Sequence, residues 1–153
     1  MTARHLALVL VPAVLLVAAC SAGGGATTGP SASPAPVASE AASRVEVTLT
    51  DALKIEPSAM TVPAGVPVTF VVTNTGAIEH EFYLGDEAAQ AEHEKQMAEM
   101  GGMAHDEPEG IAVKPGETKQ LTYTFSEAGE NLAGCHVVGH YGGGMKATIT
   151  VTG

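Results

Sequence analysis

Beyond residue 44 the chain alternates apolar and polar side chains in short runs. Val45, Val47 and Leu49 are separated by Glu46 and Thr48, the period of a half-buried strand. Met60 to Val62 and Val66 to Thr73 continue the β pattern, with Pro63-Ala64-Gly65 as the turn between them. Asn74-Thr75-Gly76 marks another turn, and Ile78 to Leu84 forms the next strand. After the turn Lys114-Pro115-Gly116, the residues Leu121, Tyr123 and Phe125 alternate again. Ala128-Gly129 leads into a strand ending at Cys135, and Ala147, Ile149 and Val151 alternate in the last strand. About six or seven short strands with regular turns predict an all-β sandwich.

One stretch breaks the pattern. Asp86 is a helix cap, Glu87 follows in the first turn, and Ala88, Ala89, Ala91 and Ala98 favour helix. Gly101-Gly102 ends it. A helix is expected over Asp86 to Met100, within an insertion of about 86–105 that follows the Ile78 to Leu84 strand directly.

The first 43 residues are read differently. Arg4 and His5 precede the apolar run Leu6 to Val17, which is too short for a membrane span and has the length of a signal core. Val17-Ala18-Ala19-Cys20 resembles a bacterial lipobox. Residues 1–19 are therefore expected to be a lipoprotein signal peptide, with lipid on Cys20. Residues 20–43 are dominated by Ser, Ala, Gly, Thr and Pro, a composition that cannot bury a core and makes a disordered linker. The folded domain is placed at 44–153.

That division leaves one thiol to explain. The chain has two cysteines, Cys20 and Cys135. With Cys20 lipidated no internal disulfide can form, and Cys135 is a lone thiol in an exported, oxidising compartment. An inert buried cysteine is the plain explanation. Its surroundings favour another: Cys135, His140 and Met145 follow one another at spacings of five, and His80 in Ile78-Glu79-His80-Glu81-Phe82 supplies a second imidazole. Two His, one Cys and a weak axial Met are the donor set of a blue-copper electron-transfer site.

The pattern Cys-x4-His-x4-Met, with a His after an Asn-Thr-Gly turn upstream, resembles the single-domain cupredoxins, relatives of plastocyanin, azurin and auracyanin. The resemblance covers roughly residues 44 to 153. It implies a Greek-key β-sandwich with His80 at a strand end and Cys135, His140 and Met145 on the loop joining the last two strands. It implies one type-1 copper held by these four residues, with Gly142, Gly143 and Gly144 permissive enough to bring the loop back to Met145.

His136 adjoins Cys135, and neighbouring strand residues point to opposite faces, so it should not bind the same copper. It is read as a polar, outward-facing strand residue. Cys-His-x3-His-x4-Met also resembles the last copper box of multicopper oxidases, but their trinuclear cluster needs His-x-His pairs. This chain has none, and position 134 is Gly.

A second group of soft donors lies in the insertion. His93, Met97 and Met100 recur at i, i+4 and i+7 on one helix face, and Met103 and His105 follow the Gly-Gly break. Such donors suit Cu(I), while helix-face methionines equally serve as packing. Similar Met/His insertions and a His-Glu-Phe motif occur in copper-tolerance cupredoxins of the bacterial envelope, which the chain resembles here. A second copper, as Cu(I), is expected on these five residues.

Charge narrows the partners. The net charge is −10, and between Glu79 and Glu109 ten acidic residues face one basic residue, Lys95. Nucleic acid is disfavoured, because phosphate binding needs Lys and Arg. A basic redox protein, or a copper donor or acceptor, is favoured, although such a surface also simply keeps a domain soluble. The expectation is a monomeric, non-enzymatic electron carrier, lipid-anchored at the cell envelope outside the cytoplasm. The alternative is an envelope copper-tolerance protein that sequesters or hands over copper.

Overall fold

The computed structural model describes residues 43–153. The expected signal peptide, Cys20 and positions 20–42 of the expected linker lie outside the described residues, while Ser43, expected in the linker, begins β1. Among those described, nine strands and one helix form two sheets. The first has the order β2-β1-β4-β7, from β1 (Ser43–Thr50), β2 (Lys54–Glu56), β4 (Val68–Asn74) and β7 (Thr118–Tyr123). The second has the order β3-β9-β8-β5-β6, from β3 (Ala59–Pro63), β5 (His80–Gly85), β6 (Gly110–Val113), β8 (Gly129–Gly134) and β9 (Lys146–Thr152). β1 runs parallel to β4 and β3 parallel to β9, while the remaining pairs are antiparallel.

The alternation read from the sequence is the alternation of burial. Val47 and Leu49 of β1, Phe70 and Val72 of β4, and Ile149 and Val151 of β9 all face the common core. Phe70 and Phe82 reach across the two sheets with ring centroids 5.4 Å apart, and Phe125 meets Phe70 edge-on at 6.4 Å. Burying each such ring contributes about 1.5–3 kcal/mol, so the three rings are a large part of what joins the sheets.

The helix α1 (Glu87–Glu99) stands where the alanines predict it. Asp86 caps it by accepting from Ala89 N at 2.8 Å. Gly101 and Gly102 both take a left-handed φ, and Gly102 N closes the end on Met97 O at 2.6 Å. The inward face differs from expectation. Gln90, His93 and Met97 are buried, whereas Met100 is the C-cap and exposed. The reason is the surface beneath. The helix packs on β5 and β8, and Gln90 Nε2 donates to the carbonyls of Tyr83 (3.2 Å) and Leu132 (3.1 Å).

Two further differences concern short strands. β2 and β6 were not predicted, and β5 begins at His80 rather than Ile78. Asn74 explains the later start. Its buried side chain donates to Ile78 O and Val113 O, both at 2.8 Å, and accepts from Gly76 N at 2.8 Å. Residues 75–79 are thereby held as a tight turn, and the ladder opens with His80.

Candidate metal centre

The turn built on Asn74 delivers His80 to one end of the second sheet. On the neighbouring strand, β8 ends at Gly134 and the chain enters a loop carrying Cys135, His140 and Met145. The loop is closed by its own backbone. Cys135 N donates to Met145 O at 3.1 Å, Met145 N to His140 O at 3.0 Å, and His140 N to Val137 O at 2.8 Å. Gly139 and Gly144 supply the left-handed residues this path needs. Of the three consecutive glycines, Gly144 is thus required by its φ. Gly143 lies in a tight space, where a Cβ would come 2.6 Å from Leu53 Cδ1 and 3.0 Å from Gly139 O.

The result is a convergence of donors. Cys135 Sγ lies 3.4 Å from His140 Nδ1 and 3.9 Å from His80 Nδ1, and the two nitrogens are 3.3 Å apart. A triangle with these sides has a centre about 2 Å from each corner, against the about 2.0–2.3 Å bonds of metals to His nitrogen and Cys sulfur. All three side chains are buried, and so is Met145.

The donors differ in protonation, and a metal would have to displace the Cys135 proton. Burial pushes the Cys135 thiol up to about 11, against the backbone N–H groups of Glu81 and Val137 that lower it. Burial and the nearby His80 hold His140 below the ordinary imidazole range, so its nitrogen keeps a lone pair at neutral pH. His80 Nε2 lies 3.1 Å from Asp51 Oδ1. A carboxylate there accepts, so Nε2 carries the proton and Nδ1 keeps a lone pair on the side of Sγ. Asp51 is itself held by Ala77 N at 2.7 Å and has a lowered pKa, chiefly through that bond and also through His80. A Cβ at Gly76 would collide with the Asp51 carboxylate, so the turn glycine leaves room for the orienting group.

Comparison with known proteins decides the family. A family model described as a cupredoxin-like domain matches residues 8–151. The chain belongs to the cupredoxin-like family. The "Copper-resistant cuproprotein CopI" of Pseudomonas aeruginosa is 36% identical over 175 residues, covering 93% of this cupredoxin and 96% of that protein. The protein of the same name from Rubrivivax gelatinosus is 34% identical over 114 residues, covering 74% of this chain and 69% of its own. In fold the cupredoxin is similar to a reduced auracyanin from Roseiflexus castenholzii, with a TM-score of 0.66 and 24% identity over 73% of this chain and 98% of that one. It is also similar to an azurin from Methylomonas sp. strain J, with a TM-score of 0.61 and 18% identity over 74% and 100%. A copper-binding cupredoxin is what the fold and family imply, and His80, Cys135 and His140 are the residues that fit the ion.

The five residues expected to hold a second copper span the whole range of burial. His93 and Met97 lie on the buried face of α1, while Met100 is 45%, Met103 72% and His105 42% exposed. The rings of His93 and His105 are 6.1 Å apart, centroid to centroid.

His136 overturns its reading as an outward strand residue. It does point away from Cys135, but α1 covers that side. His136 is 2% exposed, its Nε2 lies 2.7 Å from Gln90 Oε1, its Nδ1 meets Glu94 Oε2, and its ring stacks on Tyr141 at 4.4 Å. Glu81 was likewise overlooked. It is wholly buried, its backbone N donates to Cys135 Sγ at 3.3 Å, and its Oε2 accepts from His136 N at 3.2 Å. No local sequence signal marks either residue beyond adjacency to His80 and Cys135.

Proposed function

We propose that this cupredoxin is a type-1 copper protein that carries single electrons at the cell envelope, held to a membrane by lipid on Cys20 with residues 20–43 as its tether. The observation behind this reading is the closed, buried donor triangle of His80, Cys135 and His140, with Met145 buried on the same loop. Copper held there supplies a one-electron couple, because both Cu(I) and Cu(II) accept such a set. The protein's part is to keep the donors still. β5 fixes His80, Asp51 fixes its ring, and Glu81 N holds Sγ from the side. Little then has to move when the charge changes, which makes electron exchange fast. Among the four residues only His140 reaches solvent, at 9% exposure, so its ring edge is the proposed exit toward a partner. The acidic stretch Glu79 to Glu109 suits a basic redox partner. Four protein donors leave no open position for a substrate, which argues against an enzyme. The test is voltammetry of the protein loaded with one copper. A reversible one-electron wave together with an intense visible band supports the proposal, and a silent or irreversible couple overturns it. Lipid on Cys20 is tested by the mass of detergent-extracted protein and by release of Cys20→Ala into the soluble fraction.

A second reading is copper capture for tolerance. It is favoured by relatives named as copper-resistant cuproproteins and by the exposed thioethers of Met100 and Met103. In this reading the group His93, Met97, Met100, Met103 and His105 takes Cu(I). A Cu(I) titration against a competing chelator tests it. Replacing Met97, Met100 and Met103 together lowers bound Cu(I) by about one equivalent if they are ligands, and leaves the curve unchanged if they are packing.

A further inference from the structure

Under α1 lies a second convergence of donors, different in chemistry from the first. Glu81, His93 and Glu107 each aim one ligand atom at the others, all within 4.8 Å. Glu81 comes from β5, His93 from α1, and Glu107 from the segment returning to β6. His93 Nε2 is 3.1 Å from Glu81 Oε1, and His93 Nδ1 is 3.2 Å from Glu107 Oε1. Glu107 Oε1 is buried and accepts no aligned hydrogen bond, its close neighbour being the His93 ring, so it has lone-pair capacity left for an ion that His93 alone does not use.

The surroundings are built to hold these groups in place. His93 is sandwiched flat against Tyr83, with ring centroids 3.8 Å apart and planes 2° from parallel. Glu81 is fixed by His136 N. The backbone of Glu107 is pinned by reciprocal bonds with Gly110, at 2.8 and 3.2 Å. His105 stands at the outer edge, its Nε2 4.0 Å from Glu107 Oε1, so a fourth donor is at hand on the solvent side.

We propose that Glu81, His93 and Glu107 form a second metal site, which takes a divalent first-row ion. Two carboxylates and an imidazole are harder donors than the thiolate site offers. They select Cu2+ or Zn2+ over Cu(I), with Cu2+ bound most tightly by the general affinity order. The ion sits one residue from two ligands of the first site. Glu81 follows His80 and hydrogen-bonds Cys135 Sγ, and its carboxylate holds His136, which follows Cys135. A divalent charge there disfavours Cu(II) in the first site and raises its reduction potential. The site differs from the thioether group in ligands and in oxidation state, and it stands whether or not that group binds Cu(I).

The experiment uses the full chain with its first site filled with copper. Added Cu2+ is followed by total bound metal, visible absorbance and electron paramagnetic resonance, and Zn2+ is followed by calorimetry and by the potential of the first copper. The expected result is one further equivalent of either ion. The second Cu2+ adds a resonance signal without an intense visible band, and Zn2+ raises the first potential. Glu107→Gln, at the solvent edge and nearly isosteric, weakens the second equivalent at least about tenfold while the visible band persists. That band shows in the same sample that the fold and the first site are intact. His93→Gln has the same effect, and the triple methionine variant leaves the second divalent equivalent in place. A single equivalent in the wild type overturns the proposal. So does a second equivalent that both Glu107→Gln and His93→Gln retain at full affinity, which puts the ion elsewhere. Either failure leaves the electron-carrier reading untouched.

Discussion

The backbone N–H of Glu81 donates to Sγ of Cys135 at 3.3 Å, across 54 residues of sequence. The strand that presents His80 thereby also restrains the sulfur, so two ligands from distant parts of the chain are positioned by one element. A donor to sulfur also drains charge from a thiolate. Both effects depend on β5 and β8 lying side by side, with Tyr83 opposite Gly134.

Cys135→Ser removes the copper–sulfur bond and keeps nearly the same volume. The serine oxygen still accepts from Glu81 N. The oxidised protein is expected to lose its intense visible band while far-UV circular dichroism stays that of the wild type. A variant that remains strongly coloured sinks the assignment of Cys135.

Met145→Leu tests the weak axial donor. The swap conserves volume in a fully buried position, so stability falls by less than about 1.5 kcal/mol. Copper and colour are retained. The reduction potential rises, because losing a donor costs Cu(II) more than Cu(I). Loss of all copper in this variant contradicts an axial role.

Asp51 separates orientation from ligation. Asp51→Ala leaves His80 Nε2 and Ala77 N without their acceptor, and copper affinity is expected to fall about 10–100-fold. Asp51→Asn keeps one acceptor oxygen but sets its NH2 against either Ala77 N or His80 Nε2, so it recovers only part of that loss. Equal affinities for wild type and Asp51→Ala, measured by chelator competition, rule out the orienting role.

The thiol gives the copper-free protein a pH dependence of known sign. Cys135 titrates near 9.0 when unfolded, and burial pushes it up to about 11 in the fold. Between those values the unfolded chain loses a proton that the folded chain keeps, so stability falls as pH rises. The contribution is intact below about pH 9 and gone above about pH 11, amounting to about 2–3 kcal/mol. The unfolding free energy of wild type minus that of Cys135→Ser, from urea unfolding, should be smaller at pH 11 than at pH 8 by that amount. Parallel curves refute it.

The converging side chains His80, Cys135 and His140 were legible because ligand chemistry leaves a local trace. Cys135 and His140 sit on one loop at fixed spacing, and His80 follows a turn that Asn74 and Gly76 announce. The helix was legible from its cap and its alanines. What escaped was polar and buried. Glu81, Gln90 and His136, with His93, satisfy one another across three elements, so the first three are not flanked by the apolar periodicity that betrays a core position. His136 was placed on the correct side of its strand, but nothing in the sequence said that α1 lies over that side. β2 and β6 are three and four residues long, too short to display a period of two.

Gly134, which precedes Cys135, closes off a direction of change. A Cβ at that position would strike Gln90 Oε1 and come within 2.9 Å of the Tyr141 ring, so any side chain there has to push both aside. An oxidase-type copper box places a second imidazole at this position. Here such a substitution would displace the Gln90 amide from His136 and from the carbonyls of Tyr83 and Leu132, so the seating of α1 and the glycine at 134 are bound together.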